Sequence, residues 1–177
     1  ISLGHKRIAI IQGATGNYDA AERLRGYRAA LKEAGIEPPR ELEQGGDFTE
    51  AGGYAAALDL LALDPRPTAI FAANDSMAIG VLSALRESGV GVPDEIAVSG
   101  FDDIPLARYM DPPLSSVRVA IADLGSRAVE ILLHAIRHKT TRAPRRERVS
   151  TELVIRQSTG APHAERPPPS RRTRASR

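Results

Sequence analysis

The sequence predicts an α/β fold built on a doubly wound, mostly parallel sheet. Two observations carry this. Short apolar runs alternate with stretches of helical period along most of the chain, which argues for parallel strands with helices on both faces. The helical stretches also open on capping residues and stop at Gly or Asp-Pro, so the elements are punctuated one by one.

Arg7-Ile8-Ala9-Ile10-Ile11 is the first such run, closed by Gly13; continuous apolarity is the profile of a strand covered on both faces. Asp19-Ala20-Ala21-Glu22 resembles a capping box, with Asp19 accepting from a first-turn amide and Glu22 reaching back. The helix behind it is expected to bury Leu24, Tyr27, Leu31 and Ala34 and to stop at Gly35 in the C′ position. Thr49 opens a second helix with Tyr54, Leu58 and Leu61 on one face, ended by Asp64-Pro65. Thr68–Ala72 is the next buried strand. Asp75 is expected to cap a third helix through Ala78, Ile79, Leu82 and Leu85, which Gly89 stops. Ile96-Ala97-Val98 is another strand, cut off by Gly100.

The pattern changes at Asp111-Pro112-Pro113, a rigid break. Leu114–Ala120 reads as extended, and Asp123–Arg137 as an amphipathic helix burying Leu124, Ala128, Ile131, Leu132 and Ala135. A basic loop at 138–148 leads to a last strand, Glu152–Ile155.

The chain has 177 residues, enough for one domain or a little more, burying roughly 70 % of its unfolded surface. No cysteine is present, which excludes a disulfide scaffold, a thiolate metal site and a cysteine nucleophile. The longest apolar run is too short to span a bilayer, so no membrane role is expected. The formal net charge of +2 conceals an asymmetry. Residues 1–136 hold 12 basic and 19 acidic side chains, a net of −7; residues 137–177 hold 12 basic and 3 acidic, a net of +9. Such a tail can serve a nucleic-acid or membrane surface. Arginine outnumbers lysine 21 to 3, however, so it is this chain's default cation, and the segment around Pro167-Pro168-Pro169 has no aromatic residue or apolar period. Residues 161–177 are therefore expected to be a disordered basic tail.

No enzyme signature survives inspection. The sequence contains no GxxxxGK[ST] loop, no GxGxxG after the first strand and no GxSxG elbow. His134 and His138 stand at i, i+4 but are followed by Lys139, so a solvated helix end is the better reading and no metal is assigned. Asp102 and Asp103 could form an acid pair, but adjacent residues tend to point apart. No catalytic residue and no cofactor follow from the sequence.

A binding role fits better. In parallel sheets ligands sit beyond the carboxyl ends of the strands. That rule selects Gln12–Asn17, Ala73–Asp75 and Gly100–Asp103. Asn74 and Asp102 then face one crevice; Asn offers an acceptor and two donors, Asp up to four accepting sites, a set suited to a ligand with several hydroxyls. The same residue types also serve as helix and turn caps, and residue type alone leaves both roles open.

From Leu3 to Pro162 the chain resembles the lactose-repressor (LacI/GalR) family of bacterial transcription regulators, in the second half of its effector-binding core. The matching strings are LGHKRIAIIQG at the start, RLRGY at 23–27, GDFTEAGGYAAA at 46–57, IFAANDSMAIGVLSAL at 70–85, VPDEIAVSGFDDIPLARYMDPPLSSV at 92–117 and ELVIRQST at 152–159. Six strings in the family's order make the resemblance specific. It implies a periplasmic-binding-protein-like fold, two doubly wound subdomains around a cleft. Residues 1–117 and 149–160 would form the carboxyl-terminal effector-binding subdomain, and 118–148 would cross to the amino-terminal one.

The resemblance further implies ligand contacts at Arg23, Phe48, Asn74 and Asp102. The Arg23 fork can donate to a hydroxyl, carboxylate or purine edge, and Phe48 offers a face for a ring, although a surface helix arginine and a core phenylalanine are the ordinary alternatives. Asp103 is expected to cap the following turn. A neutral sugar is the expected effector, with a purine second, because Asp102 would repel an anion unless Arg23 offset it. The stretch 104–114 resembles the family's dimer patch, which implies a homodimer and sets the chain apart from secreted sugar-binding receptors of transport systems, which share the fold. A cytoplasmic regulator is implied, meeting operator DNA only through a helix-turn-helix that the family carries upstream of the part matched here.

Overall fold

A computed structural model describes residues 1–138 and 149–160. Part of the basic loop and the expected tail at 161–177 lie outside the described residues. The strands β1 (Ile8–Ile11), β2 (Glu43–Gln44), β3 (Ala69–Ala72), β4 (Ala97–Asp102), β5 (Ser115–Val119) and β6 (Thr151–Val154) form one sheet in the order β2-β1-β3-β4-β5-β6. All neighbours are parallel except β5 and β6. Register puts Ile10 beside Phe71 and Asp102 beside Arg118.

The helices are α1 (Tyr18–Glu33), α2 (Glu50–Leu61), α3 (Asp75–Glu87) and α4 (Ile121–His138). Strand side chains alternate between faces, and the core splits accordingly. Ala9, Ile11, Ile70, Ala72 and Val98 pack with α2 and α3, whereas Ile8, Ile10 and Phe71 pack with Tyr27, Leu24 and Leu31 of α1. Helices on both faces of a mostly parallel sheet are the predicted arrangement.

Local expectations are met in part. Both Gly35 and Gly89 adopt positive φ just past a helix, where Ile36 N–H donates to Leu31 O and Val90 N–H to Leu85 O. The cap of α1, however, is Asn17, whose Oδ1 accepts from Ala20 N–H at 2.9 Å; Asp19 falls one residue inside the helix. Likewise Asn74, not Asp75, caps α3, its Oδ1 accepting from Met77 N–H. Thr49 caps α2 as expected.

In α1 Ala34 is exposed, and Ala20 is buried in its place. The buried face of α2 is Gly53, Ala56, Ala57, Leu60 and Leu61, leaving Leu58 outside, because α2 meets α3 backbone to backbone. A Cβ on Gly80 would lie 2.0 Å from Glu50 O, and one on Gly53 2.2 Å from Met77 O. Small residues are needed where the helices cross, so the larger side chains point elsewhere.

The face expected to be buried on α4 is open. Leu124, Ala128 and Leu132 are exposed, as are Val129, Leu133 and Ile136, while Ile131 and Ala135 are half-buried. The helix follows β5 out of the sheet and the chain returns through β6.

The sheet's far side is closed by the end of the described chain. Ser158 is buried; its Oγ donates to Val98 O and accepts from Ser115 N–H, its N–H donates to Pro113 O, and its carbonyl accepts from Val98 N–H. Buried His5 donates from Nε2 to Gly160 O at 2.6 Å, a structural use for a histidine near the chain's start.

Candidate functional site

The carboxyl ends of β1, β3 and β4 open on one crevice, and the sequence brings four chemically distinct side chains to it. Arg23 lies in the second turn of α1, on the helix face turned to the sheet's end. Its Nη1 donates to Ala73 O at 2.7 Å, just past β3. Its Nη2 stands 3.7 Å from Asp102 Oδ1 at the end of β4, with the two side chains 17 % and 32 % exposed. Phe48 follows β2, with a left-handed φ of 70°. Its ring lies on Gly13, where an added Cβ would fall 2.0 Å from Cζ. Gly13 is there because only a hydrogen fits under the ring.

Arg23 also lies near two rings. Its guanidinium carbon is 5.8 Å from the centroid of Phe48 and 4.0 Å from that of Phe101. Both distances are within cation–π range. Phe101 escaped the sequence reading because it lies inside a strand-end run where an aromatic is ordinary core; only its position one residue before Asp102 hinted at the crevice.

Asn74 is placed differently from the other three. Its Oδ1 caps α3 and its Nδ2 donates to Phe48 O at 3.1 Å. The side chain thus spends two of its hydrogen bonds within the protein, capping the helix and bracing the Phe48 backbone. One acceptor lone pair and one donor hydrogen remain for anything else.

Burial pushes the Asp102 carboxyl above the ordinary value of 3.8; the Arg23 cation opposes this and the nearby Asp75 charge adds to it. Asp102 and Asp103 have left-handed φ of 109° and 53°. That conformation is uncommon for non-glycine residues and persists only where surrounding bonds hold it. The holder is a buried cluster the sequence did not announce. Asp75 accepts from Ser116 Oγ at 2.6 Å and from Ile104 N–H at 2.9 Å, while Ser116 Oγ accepts from Asp103 N–H at 3.0 Å. Burial raises the Asp75 carboxyl, against the pull of these donors.

Asp103 does not cap the following turn as expected. Its carboxylate receives Arg118 Nε at 2.7 Å and Arg156 Nη2 at 2.6 Å. Burial works to raise it, but the Arg156 and Arg118 hydrogen bonds outweigh burial and hold it below the ordinary range. Beyond it, Pro105–Tyr109 makes a short 3-10 turn with Leu106 exposed and Tyr109 77 % exposed.

Chemically, the crevice offers a paired but partly open carboxylate, a fork with unspent donors and an aromatic face. Such a set can hold a polar ligand by hydrogen bonds and cover an apolar ring face.

Residues 1–159 match the family model of the periplasmic binding protein-like domain. The chain is 44 % identical to the ribose operon repressor of Escherichia coli (strain K12) over 145 residues, 82 % of this chain and 44 % of that protein. It is 39 % identical to the HTH-type transcriptional repressor PurR of Mannheimia succiniciproducens over 158 residues, 89 % of this chain and 47 % of that one. Among solved structures, a transcriptional regulator CelR–cellobiose complex superposes with a TM-score of 0.85 at 40 % identity, covering 89 % of this chain and 48 % of that chain. The chain thus spans less than half the length of these relatives.

Proposed function

The chain belongs to the periplasmic binding protein-like domain family, in the branch of the LacI-type regulators, and on that premise we propose that it is the effector-sensing and dimerising part of a DNA-binding transcriptional regulator. The effector is a small neutral molecule, a sugar in the first place and a purine in the second. DNA is read by a segment outside this chain, and the regulator works in the cytoplasm. The two subdomains divide as 1–117 with 149–160 on one side and 118–148 on the other. The open apolar stripe of α4 supports that division, since a helix of this character is built to be covered. The exposed Leu106 and Tyr109 support a homodimer through 104–114.

One observation carries the effector reading: Arg23, within cation–π reach of Phe48 and Phe101, pairs with Asp102 at the carboxyl ends of parallel strands. Asp102 would accept from neighbouring hydroxyls, Arg23 would donate, and Phe48 would cover a ring face. Named relatives support the effector class: one is a ribose operon repressor and a solved neighbour is a complex with cellobiose. The test is titration calorimetry of D-ribose, cellobiose, adenine and guanine into the intact regulator and its Asp102→Ala variant. Saturable heat with a sugar that the variant loses is expected. Equal affinity in the variant removes Asp102 from the site, and binding of a purine alone replaces the sugar reading.

A further inference from the structure

The carboxylate next to Asp102 is the most densely engaged group near the crevice that recognition itself does not use. The Asp103 side chain is 3 % exposed, and each of its oxygens receives a different arginine. Those arginines lie on two different strands' paths. Arg118 is in β5, which leads to α4, directly beside Asp102 in the ladder. Arg156 is two residues past β6, on the return from α4; its Nη1 also donates to Leu114 O and its N–H to Ser115 Oγ. One carboxylate therefore ties the end of β4 to both passages of the chain between sheet and α4.

The same residue fixes the turn that carries Asp102. The two consecutive left-handed residues are held from the backbone side by Ser116 and Asp75 and from the side-chain side by the two arginines. Released from the arginines, a turn in this sparsely populated conformation keeps only its bonds to Ser116 and Asp75 and opens more readily. The Arg156 pair is largely out of water and the Arg118 pair is partly open to it; a shielded pair with good geometry restrains structure more than a surface pair does.

We propose that Asp103 is the positioning residue of the crevice: through Arg118 and Arg156 it couples the setting of Asp102 to the setting of the two strands that lead to and from α4. The functional meaning of this coupling rests on the effector role proposed for Asp102. Movement of β5 and β6 then reaches Asp102 through one side chain, and anything that takes hold of Asp102 is felt in those strands.

The test uses no effector, so its outcome is independent of that role. Amide hydrogen exchange is followed on the intact protein in peptides covering Asp103 and Ile104, whose N–H groups are both spent in bonds of the turn. Asp103→Asn and Arg118→Gln are each expected to speed exchange there about tenfold, with β1 and β3 unchanged. In protein labelled with 13C at aspartate side chains, the Asp102 carboxyl resonance is expected to shift in both variants. Arg118→Lys, which keeps a cation at that position, is expected to return both signals toward wild type. The control is Glu152→Gln, which removes only the other partner of Arg118 and is expected to alter neither signal. Arg118 is 43 % exposed, so its variants keep the test decisive if Asp103→Asn does not fold. Wild-type exchange and an unmoved Asp102 resonance in Arg118→Gln overturn the proposal. So does acceleration spread evenly through β1 and β3, which makes Asp103 a general support. If the turn responds as expected while the intact protein binds none of the sugars or purines, the effector reading falls and the positioning role stands.

Discussion

Replacing Gly80 by alanine should pry α2 from α3 and lower stability by about 2 kcal/mol. The added methyl would sit 2.0 Å from Glu50 O and 2.7 Å from Tyr54 N, both backbone atoms of α2 that no rotamer change can move aside. Carbon–oxygen contacts settle at about 3.3 Å or more, so the helices must part by about 1 Å. Overpacking of this sort costs ~1–3 kcal/mol, and the backbone character of the obstacle puts this case at the upper end. Alanine's better helix propensity returns ~1 kcal/mol. With an m-value of ~2 kcal/mol/M, the urea midpoint should fall by roughly 1 M. Gly26→Ala in α1 is the matched control: its Cβ meets nothing within 4 Å, so the same chemical change there should raise the midpoint. A Gly80→Ala midpoint equal to or above wild type would refute the close approach of the two helices. The damage should also reach the crevice, because the Asn74–Phe48 bond of 3.1 Å joins the start of α3 to the segment that leads into α2.

Asp102→Ala should cost ~1.5–3 kcal/mol of effector affinity by calorimetry, the usual size for hydrogen bonds to a charged group, and leave the melting temperature nearly unchanged. Asn74→Ala should lower stability by ~1 kcal/mol in urea, the scale of a lost N-cap. Asp75 is buried and its carboxyl is raised, so the folded protein holds that proton more tightly than the unfolded chain does; stability from this group is lost as pH climbs from 3.8 through the raised value. Asp75→Asn should remove that part of the decline in a melting-temperature series across acidic pH. Tyr109→Asp should shift sedimentation of the intact regulator from dimer toward monomer at micromolar concentration; an unchanged dimer would move the interface elsewhere.

The strands were legible because both faces of each are apolar: Ile8–Ile11 and Ala69–Ala72 read as buried strands from the sequence alone. The crevice was legible because parallel sheets bind ligands at strand ends, which singled out Asn74 and Asp102, and because family strings supplied Arg23 and Phe48. Caps were misread by one or two residues at Asp19 and Asp75, since Asn and Asp serve equally and helical periodicity does not fix the first residue. The buried face of α2 was misread because ranking by size favours Leu58, whereas the crossing with α3 selects glycine and alanine. Asp103 with Arg118 and Arg156, and Phe101 under Arg23, depend on partners 15 to 78 residues apart in sequence, and no local pattern encodes such pairings.

Ser158 has a consequence for synthesis. Val98 is the second residue of β4, yet its N–H and C=O find their partners on a residue 60 positions later. At ribosomal speeds of about 5–20 residues per second, β4 leaves the tunnel about 3–12 s before Ser158 does. Over that interval β1, β3 and α3 can assemble around one side of β4 while two polar groups on its other side remain bare to water or to a chaperone. Ser99–Asp102 can pair with β5 as soon as it emerges, so the start of β4 is the part of that edge that waits longest for its partner and stays open until then to whatever lies nearest.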